Sequence, residues 1–308
     1  MLTLLTSPLN LEVLRAVEEG PQPLQELMRR LGFPPRSTAR LYLRGLVELG
    51  AVERRARNEF PTSVDYEITA AGRALLEVAT TLQAWLDRTP GGGVELGSTA
   101  AKSAIKALVE GWGSNIVRAL STRPLSLTEL NRLIPRISYP SLERRLTAMR
   151  QVGLLEAAPS TGRSSPCAAT DWLRLAVPPV TAAIGWERRF APRATSDLRR
   201  LDVEASFLLL VPLIEPPEAL SGRCRLAVEV HEGASPAPAG VVVSIAHGEV
   251  LGCIPSLEGE AEGWAWGKPR AWLPPLAGGG AEGLEIGGDA RLTRAVISAI
   301  RRTTRKPQ

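Results

Sequence analysis

VLRAVEEGPQPLQELMRRLGFPPRSTARLYLRGLVELGAVE, residues 13–53, returns in altered form as IVRALSTRPLSLTELNRLIPRISYPSLERRLTAMRQVGLLE at residues 116–156. The two stretches align without a gap at an offset of 103. Leu24 meets Leu127, Glu26 and Leu27 meet Glu129 and Leu130, Leu43 meets Leu146, and Gly50 meets Gly153. Self-similarity at one fixed offset marks a duplicated unit, and two copies are too few for a solenoid.

Each copy reads as three helices. Val13, Leu14 and Val17 give the first an apolar face, and the Gly20-Pro21 turn ends it. Leu24, Leu27, Met28 and Leu31 line one face of a short second helix at spacings of three and four. The third opens near Pro35, a residue suited to a first helical turn, and stops at Gly50. Its expected buried stripe is Ala39, Leu43, Leu46 and Leu49. Beyond it, residues 51–55 and 64–68 read as two strands around a turn at 58–62, and a fourth helix spans Ala70 to Leu86. Three helices followed by a β-hairpin is the winged helix-turn-helix plan.

The wing and the helix after it carry a resemblance. Glu53-Arg54-Arg55, Asn58-Glu59-Phe60-Pro61 and the run from Val64 through Tyr66-Glu67-Ile68-Thr69 to Leu75, with the Pro35-Arg36-Ser37-Thr38 helix start, are similar to HxlR-type regulators, relatives of the MarR group. The resemblance spans about residues 10–88. It implies a bacterial-type, DNA-binding transcriptional regulator that forms dimers. The second copy is similar through its third helix and Gly153-Leu154-Leu155-Glu156, but it departs at the wing. Residues 159–167 are rich in Ser, Gly and Pro, the Tyr-x-Ile-Thr signature is missing, and the hairpin is about two residues shorter.

A helix that reads DNA must bury one face while the other reaches phosphates and base edges in a groove about as wide as the helix. Arg36, Arg40 and Arg44 recur every four residues and are expected to form one outward stripe, with Ser37 and Thr38 at the helix start. Arginine can grip guanine in bidentate fashion. Arg54, Arg55 and Arg57 fall on the wing, where phosphate or minor-groove contacts position the protein without specifying sequence. In the second copy Tyr139 stands for Arg36 and Glu143 for Arg40. Tyr139, Ser141, Arg144 and Arg145 are its candidate contacts, with Arg163 at the tip of the short wing. Two unlike helices on one chain predict an intrachain pseudo-dimer on an asymmetric site. A homodimer through the terminal helices, which carry Trp85 and Trp186, is the other arrangement, and core packing is the plain alternative for both tryptophans.

Charge is distributed to match. Residues 104–193 hold 13 Lys/Arg against 6 Asp/Glu, while 1–90 hold 11 against 11 and 194–308 hold 12 against 14. Within the first region, 29–57 carries eight arginines against Glu48 and Glu53 alone. Such a basic stripe fits a phosphate-binding face, although a solvated helix exterior has the same composition.

The composition changes after Ala191-Pro192-Arg193. A helix over 201–214, strands over 223–230, 240–246, 250–254, 262–267 and 283–286, a short helix over 270–276 and a final amphipathic helix over 290–302 are expected. With Gly287-Gly288-Asp289 leading into that helix, residues 198–304 resemble the sterol carrier protein fold. That resemblance implies an apolar small-molecule effector between sheet and helices, with Phe207, Leu210, Trp264, Trp266 and Trp272 as candidate lining. Core packing is the competing explanation for the same residues.

The expected whole is a helix-rich α+β chain: two tandem winged-helix domains at 1–90 and 104–193, and a sterol-carrier-like α+β domain at 197–308 that binds an effector or dimerises. No apolar run is long enough for a membrane span and no secretory signal opens the chain, so a cytoplasmic location is expected. Cys167, Cys224 and Cys253 are far apart, and His231 and His247 lack metal-type neighbours; no metal and no cofactor are expected. A lone thiol can serve as a redox sensor, but an inert buried cysteine is the commoner case. No Ser/His/Asp set, HExxH or phosphate loop argues for an enzyme. Gly91-Gly92-Gly93 and Gly278-Gly279-Gly280 read as linkers. The alternative function is a winged-helix protein–protein interaction module without specific DNA binding.

Overall fold

In the computed structural model, which describes residues 1–56, 64–110, 113–134, 137–159, 165–191, 203–232 and 235–305, the chain falls into two units. One holds residues 1–106 with 186–196, the other 107–185 with 197–308. Arg57 and Arg163 lie outside the described residues.

The first unit runs α1 (Leu2–Leu5), α2 (Pro8–Glu18), β1 (Gln22–Pro23), α3 (Leu24–Arg30), α4 (Arg36–Glu48), β2 (Val52–Ala56), β3 (Val64–Ile68) and α5 (Ala70–Leu86). Its core is the meeting of the apolar faces read from the sequence: Leu14 and Val17, Leu27, Leu43 and Leu46, and Leu75 are all buried. Leu49 is only half-buried, because α4 is already ending there. Gly50 follows with φ +74°, a left-handed turn that β-carbon-bearing residues resist, and it delivers Ala51 N–H to the Leu46 carbonyl at 2.9 Å. β2 and β3 pair antiparallel, Val52 opposite Ile68 and Arg54 opposite Tyr66, and β1 adds a third strand opposite Tyr66. Thr69 fastens the end of this hairpin to the end of α4. Its hydroxyl donates to the Gly50 carbonyl at 2.6 Å and accepts from Gly72 N–H at 3.1 Å, so one side chain also caps α5.

α6 (Thr99–Val109) and α11 (Val177–Phe190) carry the chain between units. The far end of α11 belongs to the first unit. There Trp186 is buried, and its Nε1–H donates to the Ala71 carbonyl at 2.8 Å.

The second unit continues α7 (Gly113–Leu120), α8 (Leu127–Leu133), α9 (Tyr139–Gln151), β4 (Leu155–Ala157), β5 (Cys167–Ala169) and α10 (Asp171–Arg174). α8 and α9 reproduce the spans of α3 and α4 at the offset of 103, end for end. Gly153 repeats the positive φ of Gly50, and Leu154 N–H meets the Met149 carbonyl at 2.9 Å. Thr170 repeats Thr69: its hydroxyl lies 2.9 Å from the Gly153 carbonyl and accepts from Leu173 N–H. It stands 101 residues after Thr69, which fits the shorter hairpin. The helix that follows differs, being α10 and then α11 with Pro178 and Pro179 in its first turn, where α5 is continuous.

The remainder is α12 (Val203–Leu210), a 3₁₀ turn (Val211–Leu213), β6 (Gly222–Glu232), β7 (Ser235–Ala246), β8 (Glu249–Ile254), β9 (Gly263–Gly267), α13 (Pro269–Leu276), β10 (Glu285–Gly288) and α14 (Ala290–Arg305). The strands form one sheet in the order β10-β9-β6-β7-β8, antiparallel except for β6 with β9. Leu226, Val243 and Ala265 from the sheet are buried with Phe207, Trp272, Val296 and Ile300 from the helices. The strand bounds lie within two residues of expectation except at the start of β7, which is five residues earlier. β7 starts at Ser235 despite Pro236 and Pro238, since β8 pairs only with 242–246 and the proline stretch has β6 alone as partner. β10 lies two residues later than the expected 283–286 and takes in Gly287 and Gly288, opposite Trp264 and Gly263.

Candidate nucleic-acid interface

In α4 the buried residues are Ala39, Leu43 and Leu46. A helix turns about 100° per residue, which puts Leu41 about 170° from the middle of that stripe, Ser37 about 150° and Arg44 about 130°. Arg40 stands about 90° away and Arg36 about 50°, on the flank. The three arginines are therefore not the outermost line, as expected from their spacing. A step of four residues advances the face by about 40°, so the series climbs from shoulder to crest. The crest is Ser37, Leu41 and Arg44. All of these except Thr38, which is half-buried, are exposed, and Leu41 is 66% exposed.

Partners separate these arginines from their neighbours. Arg29 donates to Glu26 at 2.9 Å through Nε, and Arg30 is bonded to Glu19 and Glu26. The hydrogen bond from Arg29, with help from Arg30, holds the Glu26 carboxyl below its ordinary pKa. Arg36, Arg40, Arg44 and Arg54 form no ion pair with any described residue. On the wing, β2 exposes Glu53, Arg54 and Arg55. Arg55 pairs with Glu53 at 3.2 Å and Glu67 at 3.0 Å; Arg54, one residue back, projects from the other face of the strand. Exposed pairs of this kind are weak, about 0–1 kcal/mol, and a phosphate can displace them.

In the second copy Leu142, Leu146 and Met149 are buried, and the crest position of α9 is Arg144, which is exposed. Tyr139 is exposed at the start of the helix, while Ser141 is half-buried and accepts from the Ser138 hydroxyl at 2.8 Å. Arg145 faces the other way. Its Nη2 donates to the Ala107 carbonyl at 3.0 Å and to that of Glu110, so its guanidinium fastens α9 to the C-terminal end of α6, where helix carbonyls attract a cation. The expectation of Arg145 as a DNA contact is corrected accordingly. Arg150 donates to the Cys167 sulfur at 2.8 Å.

The five residues expected to line an effector pocket fall in different settings. Phe207, Leu210 and Trp272 are fully buried; the Phe207 and Trp272 rings meet edge-on at 4.6 Å, and Trp272 Nε1–H donates to the Ala227 carbonyl at 3.0 Å. They are packed into the core between the sheet and its helices. Trp264 is 38% exposed, and its indole lies over Gly287, where a β-carbon would come within 2.2 Å of the ring. Trp266 borders an open cavity, about 490 Å³, whose other walls include Glu229, Lys268, Arg270, Glu282 and Glu285. Burial pushes the thiols of Cys224 and Cys253 up to about 12. Among the described residues no group of three metal-type ligands occurs, and no helix is long and apolar enough to cross a membrane.

Sequence reading missed Leu41 and Phe33, the latter 68% exposed at φ +57° in the turn between α3 and α4. The angle of Leu41 about the helix was available; nothing marked Phe33. Residues 4–90 match the family model described as HxlR-like helix-turn-helix. No curated protein matches the chain. The family is one of transcription regulators, and the match points to DNA binding by this domain.

Proposed function

We propose that this chain is a sequence-specific DNA-binding transcription regulator in which α4 enters the major groove and the β2–β3 wing lies along the backbone. The observation that carries it is the arginine set of α4 and β2: Arg36, Arg40, Arg44 and Arg54 are exposed and have no carboxylate partner among the described residues, beside Arg29 and Arg30, which do. Ser37 and Arg44 are the candidate base contacts, with Thr38 at the groove edge. Arg36, Arg40, Arg54 and Arg55 serve phosphates.

Residues 104–193 act in the same proposal as a second winged-helix domain. The identical spans of α8 and α9 and the repeated Thr170 fastening support this. Tyr139 and Arg144 are its DNA contacts. Two unlike reading helices on one chain, α4 and α9, are the basis for proposing an intrachain pseudo-dimer on an asymmetric site. Residues 197–308 form the sterol-carrier-like third domain. The charged walls around Trp266 favour a polar effector over an apolar one. No catalytic role is assigned, and the cytoplasm is the proposed location.

The test is selection of the full chain on random duplexes followed by salt titration of the winners. An enriched motif whose affinity falls steeply with salt is expected. No enrichment with flat salt dependence would replace this function with a protein–protein interaction module.

A further inference from the structure

The crest of α4 holds an apolar side chain where a groove-reading helix ordinarily carries hydrogen-bonding groups. Leu41 is 66% exposed, flanked by the exposed Arg40 and one turn from Ser37 and Arg44. It contributes nothing to the core, which Ala39, Leu43 and Leu46 fill from the opposite side. Leucine has no donor or acceptor, so against a major-groove floor it can gain only by covering carbon. The major-groove edge of DNA presents one common apolar group, the C5 methyl of thymine. At the matching station of α9, 103 residues on, stands Arg144, whose chemistry suits guanine O6 and N7 or a phosphate.

Building on the regulator function proposed above, we infer that Leu41 is a specificity-determining residue that packs on a thymine methyl in the half-site read by α4. Arg144 gives the other half-site a different requirement at the equivalent position. Ser37 and Arg44, on either side along the crest, bracket the base step that Leu41 covers.

The test replaces each thymine of the selected duplex, one at a time, by deoxyuridine, which removes the C5 methyl and keeps every hydrogen-bonding group. Binding of the full chain and of Leu41→Ala is then measured to each duplex. One deoxyuridine position is expected to weaken the full chain about fourfold, the worth of one buried methyl group. Leu41→Ala should lose affinity for the thymine duplex and be indifferent to the exchange at that position. Because Leu41 is exposed and alanine favours helices, the variant keeps its fold. Full sensitivity to deoxyuridine in Leu41→Ala, no sensitive position in the full chain, or a selected site without thymine would overturn the inference while the regulator function stands. Failure to select any site would overturn both.

Discussion

Trp186 donates its indole N–H to the Ala71 carbonyl at 2.8 Å, across 115 residues of sequence and in a buried setting. The bond anchors the end of α11 beside the start of α5 within the first unit. Removing the donor while keeping a ring, Trp186→Phe, is expected to cost about 1 kcal/mol. Trp186→Ala empties the site and should cost about 3–5 kcal/mol. Urea unfolding midpoints of the two variants check this; equal midpoints for Trp186→Ala and the parent chain would show that the contact holds nothing.

The positions of the arginines around α4 predict two kinds of loss. Arg44→Ala should weaken the selected duplex more than a random one, because Arg44 stands near the crest. Arg40→Ala should weaken both alike and reduce the salt slope by about 0.9, the signature of one lost phosphate contact. Parallel titrations on both duplexes distinguish the two, and interchanged patterns would place Arg40 on the bases.

The Ser126–Glu129 capping box makes one helix start pH-sensitive. Ser126 N–H donates to the Glu129 carboxylate at 2.8 Å, and with the Ser126 hydroxyl and Arg123 it lowers the Glu129 pKa from its ordinary 4.5 to about 2. A carboxylate held low in the folded chain stabilises above its unfolded pKa, and that contribution fades as pH falls from 4.5 toward 2. Glu129→Gln should therefore flatten the acid side of the stability profile across that window. An unchanged profile in urea melts at several acidic pH values would contradict it.

Thiol chemistry should be muted at two of the three cysteines. With their thiols pushed to about 12 by burial, Cys224 and Cys253 are protonated at neutral pH. Alkylation with iodoacetamide near pH 8, followed by mass spectrometry of the peptides, should leave both unmodified until denaturant is added. Rapid labelling of either in the folded chain would reopen a redox role.

Much of the first half of the chain was legible because the repeat supplied α3 and α4 a second time as α8 and α9. The bounds of Ala70–Leu86 and the start of the third helix at Pro35 followed from apolar spacing and turn residues, and they hold. The misses have physical causes. β1 is two residues long and exists only through its pairing with β3, which no local pattern encodes. α6 follows the glycine run Gly91-Gly92-Gly93, whose composition marks a linker and masks the helix beyond it, although Ala101, Ala104, Ile105 and Leu108 recur at helical spacing and are buried. Phe207 and Trp272 show a deeper limit, since an aromatic residue that fills a core and one that lines a cavity look alike until their neighbours are known. Arg145 shows another: charge marks it as a phosphate contact, and only the nearby carbonyls of Ala107 and Glu110 reveal it as a fastener.

Leu41 and Arg144 occupy matching stations on two helices of one polypeptide. When two identical chains pair, every substitution in the reading helix alters both halves of the target at once, so a new preference must succeed on both sides together. Here a codon change at either station leaves the other intact. If both helices read DNA as proposed, each half of the target can drift, be tested and be kept on its own, with the untouched half still anchoring the protein, and target choice is freed from mirror symmetry.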